Sequence, residues 1–393
     1  MGLKINLFDI LSRLSTYDKK IGVITNGINN EYPDKIDRFI NNSVTAKSAA
    51  NIMAVYIAGQ GFLNSNSKKV SKGVDLKLFT NKVAKSIAKH HGVFIHVMYD
   101  ANGKKVSFDT LPYSHCRLGK KDDTKYNGKI AVYDDWSAKR IDKSKITWID
   151  VYNPIASVVE SQIRSSKGDD LVDKAKNYKG QVWYINLDEE YDYALSTIDA
   201  VQYDCDSEAQ SSAFKNKSLR KGFFGKTVVV TRPLVGAASE YETPEAYQSA
   251  NSERKNFKDT IENFIGAENA GGILHVELEQ EQDDLDDAIK FENISSDIDD
   301  KLFSYTESSV FLNILMAFNN LPAGLVRSDT AMFSNSGDSL REMKKDYQDN
   351  TRIERNVIED VVNELLGSKD GEYKITPLIV EVKPVEEDGE FNN

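Results

Sequence analysis

The spacing of apolar residues along the chain changes from a helical period to an alternating one and back again, and this alone divides the sequence. Leu3, Ile5, Phe8, Leu11 and Leu14 predict a short amphipathic helix or arm. "SVTAKSAANIMAVYIAGQGF" predicts a helix capped by Ser43 and ended by Gly59 and Gly61, with Val44, Ile52, Val55 and Tyr56 along it. "LKLFTNKVAKSIAKHH" places Leu76, Phe79, Val83 and Ile87 on one stripe and stops before Gly92. There the period becomes two. "GVFIHVMYDANGKKVSFDTLP" alternates on both sides of Asp100-Ala101-Asn102-Gly103, where Asn-Gly supplies the positive φ of a tight hairpin. "GKIAVYDDWS", "KITWIDVYNP" and "GQVWYINL" continue as strands, so residues 1–190 read as an N-terminal arm and an α+β lobe.

The helical period then returns. Residues 191–224 predict one long helix in which Leu195, Ile198, Val201, Cys205, Ala209 and Ala213 form a thin stripe, too narrow to bury much area without neighbours. Acids dominate its first half and Lys215, Lys217, Arg220 and Lys221 its end, as the helix dipole favours. Residues 225–294 follow as strand, helix and strand: "KTVVVTRPL", a helix with Thr243 as cap and Pro244 in its first turn, and "GGILHVEL". A second long helix covers 295–319 and stops before Pro322. A loop occupies 320–339, a third long helix 340–367 with Gly367 as its stop, a last strand 368–384, and an acidic tail of disordered composition 385–393.

Composition narrows the chemistry. At 393 residues and 40% hydrophobic the chain is long enough for two or three lobes. A formal charge of -11 argues against a protein whose main task is gripping phosphates, and leaves room for a non-adhesive DNA-handling role. The two cysteines, Cys116 and Cys205, are far apart and suggest neither a disulfide framework nor a zinc cage, which fits a reducing compartment. The N-terminal residues lack an apolar signal core and a myristoylation pattern, and the longest apolar run, Val310 to Phe318, is too short to span a bilayer, so no membrane anchor is expected.

Catalytic and cofactor patterns are weak throughout. "GFFGKTVVV" has Arg220 where a phosphate loop needs its first glycine, and it runs from helix to strand instead of the reverse. The five histidines form no metal-binding pair, no GxSxG elbow occurs, and the acidic run from Glu277 lacks the glycine and closing Glu of a calcium loop. No catalytic residues, cofactor or metal are expected. The loop from Asn320 to Asp338 is the anomaly, because connections longer than about fifteen residues inside a compact chain are usually functional or disordered.

The order of these elements resembles that of the portal, or head-tail connector, proteins of tailed bacteriophages. Three stretches carry the likeness: "DYALSTIDAVQYDCDSEAQSSAFKNKSLRKGFF", the strand-helix-strand insertion after it, and "SYTESSVFLNILMAFNNLPAGLVRSDTAMFSNSGDSLREMKKDY". The last is similar to the family's helix, hydrophobic-Pro-Pro turn and S-N-S loop, with Ala323 in place of the second proline. The likeness covers most of the chain after Tyr191 and is looser before it; little remains after Val382 to form the helical crown of larger portals.

The resemblance implies an α+β wing at 1–190, a stem helix at 191–224, a clip at 225–294, a second stem helix at 295–319, a tunnel loop at 320–339, a long wing helix at 340–367 and a strand returning to the wing at 368–384. It implies a ring, usually a dodecamer, at one capsid vertex, with double-stranded DNA in its channel. Implied partners are the major capsid protein, the large terminase subunit, whose ATP hydrolysis leaves this chain without a nucleotide site, and a head-tail adaptor. Implied locations are the virion and, during assembly, the host cytoplasm. Arg327, Ser328, Asp329, Met332, Phe333, Ser334 and Asn335 would line the channel, and Lys215, Lys217, Arg220 and Lys221 would form a DNA-facing basic belt. The competing readings are another phage structural protein, such as an adaptor or minor capsid component, and an enzyme with a dispersed active site.

Overall fold

The computed structural model describes residues 15–27, 29–119, 128–138, 140–221, 226–231, 234–236, 238–264, 273–277, 289–294, 300–327, 337–368 and 371–379. The chain divides into two compact units: Met1–Asp206 with Val310–Asn393, and Ser207–Ser309. The fold class is α+β.

In the first unit two small hairpins, β1 (Tyr17–Asp18) with β2 (Val23–Ile24) and β3 (Lys69–Ser71) with β4 (Val74–Asp75), accompany three helices. These are α1 (Tyr32–Asn42), α2 (Val44–Ala58) and α3 (Leu76–His90). Ser43 Oγ accepts from Ala46 N at 3.0 Å and starts α2, as its sequence predicts; Asp75 does the same for α3 through Leu78 N at 2.9 Å. Helix α3 stops because His91 takes a left-handed conformation, φ 54°, one residue before Gly92. Helix α1 was not anticipated, although Pro33 in its first turn and the spacing of Ile36 and Ile40, both buried, are helical signals.

Six more strands follow: β5 (Gly92–Tyr99), β6 (Lys105–Leu111), β7 (Cys116–Leu118), β8 (Lys129–Val132), β9 (Thr147–Val151) and β10 (Gln181–Asn186). They form one mixed sheet in the order β6-β5-β10-β9-β8-β7, antiparallel throughout except between β9 and β10. The Asn102-Gly103 hairpin is present: Asp100 accepts from Asn102 N, Lys104 N and Gly103 N, and Gly103 sits at φ 76°. Two short helices, α4 (Ala156–Ser165) and α5 (Leu171–Asn177), fill the link from β9 to β10, which the apolar pattern left unassigned.

The second unit is built around β11 (Lys226–Thr231), α7 (Pro244–Phe264), β12 (Ile273–Glu277) and β13 (Ile289–Ile294). Strand β11 is central, parallel to β12 and antiparallel to β13. The third strand is an addition to the strand-helix-strand expectation; its signal is the brief alternation Ile289, Phe291 against Lys290, Glu292, beside an acidic run that masks it. Helix α7 starts at Thr243, whose Oγ1 accepts from Ala246 N at 3.2 Å. Helices α6 (Gln202–Lys221) and α8 (Asp300–Ala317) cross the boundary between the units, and α9 (Gly337–Asn350) and α10 (Arg352–Leu366) belong to the first.

Three expectations are corrected. The helix expected from Tyr191 becomes α-helical only at Gln202, after a 3-10 turn at Asp199–Val201. Its first residues are bound elsewhere: Tyr193 Oη donates to Ile24 O at 2.7 Å and accepts from Leu118 N at 2.6 Å. Ala194 N donates to Tyr184 Oη, Ser196 N to Tyr32 Oη, and Thr197 Oγ1 to Ala88 O. The long helix expected over 340–367 is two helices broken at Thr351, a buried residue whose Oγ1 bonds back to Tyr347 O and Gln348 O, each at 3.2 Å. The last strand is absent from 371–379, where Pro377 withholds an N–H. Side chains stand in for a ladder: Asn363 bonds both backbone groups of Tyr373 at 2.9 Å, and Gln348 both of Ile379 at 2.8 and 3.2 Å.

The main core lies between the helices and one face of the sheet. Ile57, Phe79, Val83, Ile87, Ile95, Val97, Ile314, Phe318, Ile358 and Val362 belong to it, with Phe79 and Phe108 meeting edge to face at 4.9 Å. Helix α10 packs on α2 and α3, so the end of the chain covers helices from its beginning.

Candidate functional site

Helix α8 is apolar on more than one face. Val310, Phe311, Ile314, Leu315 and Phe318 are buried in the first unit, while Leu312 and Met316, one turn apart, are 52% and 65% exposed. Tyr203 in the first turn of α6 is 67% exposed. Asn313 Nδ2 lies 3.5 Å from both carboxylate oxygens of Asp204, which sets α6 beside α8 at this level. The stripe foreseen on α6 is mixed in its burial: Ile198 and Cys205 are fully buried, Leu195, Val201 and Ala209 partly, and Ala213 is exposed.

Within the second unit the same two helices meet again. Glu307 on α8 accepts from Ser211 Oγ at 3.3 Å and pairs with Lys215 on α6. Both members of that ion pair are about half exposed, which limits its worth to a fraction of a kcal/mol, roughly 0.2–1. Of the four cations considered as a belt, Lys215 is therefore partly neutralised. Lys217, Arg220 and Lys221 lie on α6, but their side chains fall outside the described residues.

At the other end of α8 the chain turns sharply. Asn319 and Asn320 both adopt positive φ, 53° and 54°, a conformation that Asn tolerates better than most residues. Tyr347 Oη donates to Phe318 O at 3.1 Å. Asn319 Nδ2 donates to Glu354 Oε1 at 2.8 Å and to Asn350 O at 3.2 Å, and Asn350 Nδ2 returns a bond to Asn319 O at 3.3 Å. The start of the loop is thus tied to the break between α9 and α10. Burial, then the nearby Glu354 carboxylate, pushes the Tyr347 phenol far above its ordinary range, so it stays a neutral donor.

The loop continues through a 3-10 turn, Ala323–Leu325, to Arg327, whose guanidinium lies 4.2 Å from the Phe311 ring centroid. Ser328, Asp329, Met332, Phe333, Ser334 and Asn335, the other residues expected to line a channel, lie outside the described residues, as do the N-terminal arm, Gly222–Gly225, the acidic run after Glu277 and the acidic tail. Only the Asn-Asn pair before Leu321-Pro322 hints at the Asn319–Glu354 junction from the sequence. No group of three or more His, Cys, Asp or Glu side chains is placed to hold a metal among the described residues, and none of their helices is long and apolar enough to cross a membrane.

No protein-family model matches the chain, and no curated protein matches it in sequence. Solved structures similar to it are the neck of an empty gene transfer agent particle computed with C6 symmetry (14% identity, 89% of this chain and 85% of that one, TM-score 0.45) and the neck of a native particle computed with C12 symmetry (14%, 90% and 86%, TM-score 0.45). Another is an HK97-family phage portal protein from Corynebacterium diphtheriae, at 8% identity over 79% of this chain and 83% of that one, with a TM-score of 0.38.

Proposed function

We propose that this chain is the subunit of a phage portal: a ring at one capsid vertex through which double-stranded DNA is packaged and ejected. The observation that carries the reading is that α8 presents apolar residues on more than one face. A second apolar face on a helix is normally buried like the first, yet Leu312 and Met316 remain open while the opposite face fills the core. A second copy on that face satisfies both. The order helix, small sheet, helix, loop, helix supports the same assignment, with residues 207–309 as the body that carries the clip.

In this reading the first unit supplies the wing, α6 and α8 the stem, and 320–336 the tunnel loop, with its base held by Asn319 and Arg327. Met332 and Phe333 are then loop-tip residues facing DNA. Walls built from subunits of net charge -11 repel a polyanion within a Debye length of about 8 Å at physiological salt, so DNA slides. Lys217, Arg220 and Lys221, with Lys215 shared with Glu307, give transient phosphate contacts. The motor, the adaptor and the major capsid protein act as partners, and the chain itself is not an enzyme.

Mass photometry with negative-stain imaging of the purified chain tests the proposal: closed rings with a central hole are expected. A folded monomer at every concentration and salt condition overturns it. Leu312→Glu with Met316→Glu should leave the fold intact and abolish the ring. Deletion of 328–336 should spare the ring and impair DNA packaging or retention; unchanged packaging after replacing Lys215, Lys217, Arg220 and Lys221 by Gln returns those residues to a dipole-complementing role.

A further inference from the structure

Strand β10 outruns the strand beside it. β9 pairs only with its beginning, Gln181 and Val182 opposite Asp150 and Val151, and Tyr152 N donates to Val182 O at 2.9 Å. The next donor of a continued parallel ladder would be residue 154, and Pro154 has no N–H. Along its other edge β10 pairs with β5 over its whole length, and Leu187 N extends that pairing to His91 O at 3.1 Å. Odd-numbered residues therefore turn their backbone groups toward β5 and even-numbered ones away from it. The N–H and C=O of Tyr184 and Asn186 face the β9 side, and no backbone partner meets them there among the described residues.

That open edge borders a cavity of about 840 Å³. Leu118, Val151 and Trp183 give it apolar walls, and Lys129, which also lines it, is engaged by Asp150 at 2.5 Å. Glu189, Glu190 and Asp192 stand on its rim, all exposed and in no ion pair with a described cation. Among the described residues, an unpaired strand edge, an apolar hollow and three carboxylates in no ion pair form a combination that selects one kind of occupant.

We infer that this edge accepts an extended basic segment of a partner protein by strand addition. The segment's backbone bonds Tyr184 and Asn186, an alternate apolar side chain enters the hollow, and Lys or Arg side chains meet the rim. A neutral or acidic segment would leave the carboxylates uncompensated or repel them, so charge fixes the partner's chemistry. The inference does not depend on the ring reading.

The test uses the full chain and a fluorescent hexapeptide, Lys-Val-Lys-Val-Lys-Val, followed by anisotropy, beside Glu-Val-Glu-Val-Glu-Val and an N-methylated basic version that cannot pair as a strand. Saturable binding of the basic peptide alone is expected, weakened about tenfold or more by N-methylation or by the triple variant Glu189→Gln, Glu190→Gln, Asp192→Asn. Those three side chains are exposed, so the variant should keep the wild-type circular dichroism spectrum. Binding should also slow hydrogen exchange at Tyr184 and Asn186. Equal binding of all three peptides, no saturable binding, or full protection of both amides in the free chain would each overturn the inference.

Discussion

Asn319, two residues past the end of α8, donates a hydrogen bond of 2.8 Å to Glu354, three residues past the break at Thr351, while holding a left-handed backbone. Two features meet in one residue and can be separated. Asn319→Gly keeps the backbone conformation and loses the side-chain bonds; Asn319→Ala loses both. With Glu354 buried, the lost bonds should cost about 1–3 kcal/mol, and the alanine about 1 kcal/mol more. Urea midpoints for the two variants check this; identical midpoints would show that the backbone conformation carries no cost.

Gly59 should tolerate no side chain. It sits at φ 53°, and a Cβ there would lie 2.4 Å from Thr376 O, a backbone atom that cannot turn aside. Gln60 N donates to Thr376 O at 2.8 Å and Thr376 N to Gly61 O at 2.9 Å around the same point. Gly59→Ala is expected to cost more than the roughly 1 kcal/mol of an ordinary strained alanine and to raise the exchange rates of the Thr376 and Ile375 amides. Unchanged exchange there would mean that the chain yields by some other route.

Arg117 is fully buried, and among the described residues no carboxylate pairs with it. Its guanidinium donates to Asn30 Oδ1, Asn30 O, Ser114 O and Cys116 O, and lies 5.5 Å from the Trp136 ring centroid. A lysine cannot reproduce that fork. Arg117→Lys should destabilise by about 2 kcal/mol or more by leaving buried carbonyls unpaired. A melting temperature within a degree of wild type would refute it.

Asp37 gives the fold an acid limit. Burial pushes its carboxyl up, but the His90 ring, 3.6 Å away, and the Lys89 ammonium, hydrogen-bonded at 2.9 Å, outweigh that and hold it at about 2. Because the folded value lies below the ordinary one, the stabilisation is complete above about pH 4 and is lost as pH falls toward 2. The side chain is one-third exposed, so the loss should be only about 1 kcal/mol after screening. Asp37→Asn should flatten the stability profile between pH 4 and 2, read from urea midpoints at each pH.

What could be read from the sequence followed from short-range chemistry. Ser43, Asn102-Gly103, Thr243 and Gly367 mark their caps and turns because each is decided within four residues. The readings that failed needed distant partners. Nothing near Tyr193 or Ser196 reveals that Ile24, Leu118 and Tyr32 will claim their hydrogen bonds and delay α6 to Gln202. Thr351 likewise sits in an unbroken helical pattern, and its burial is visible only in three dimensions. For the candidate site, the helical stripe on α8 was plain, but which apolar residues remain uncovered depends on what the rest of the chain leaves open.

The first unit is made from both ends of the chain, with residues 207–309 synthesised in between. During translation α2 and α3 emerge long before α10 and the segment at 371–379 that cover them. At roughly 5–20 residues per second that interval is on the order of tens of seconds. Greasy helix surface is then presented to the ribosome's surroundings with its cover still unmade. A product ending before Ile375 lacks the latch on Gly59–Gly61 however well its earlier strands have formed.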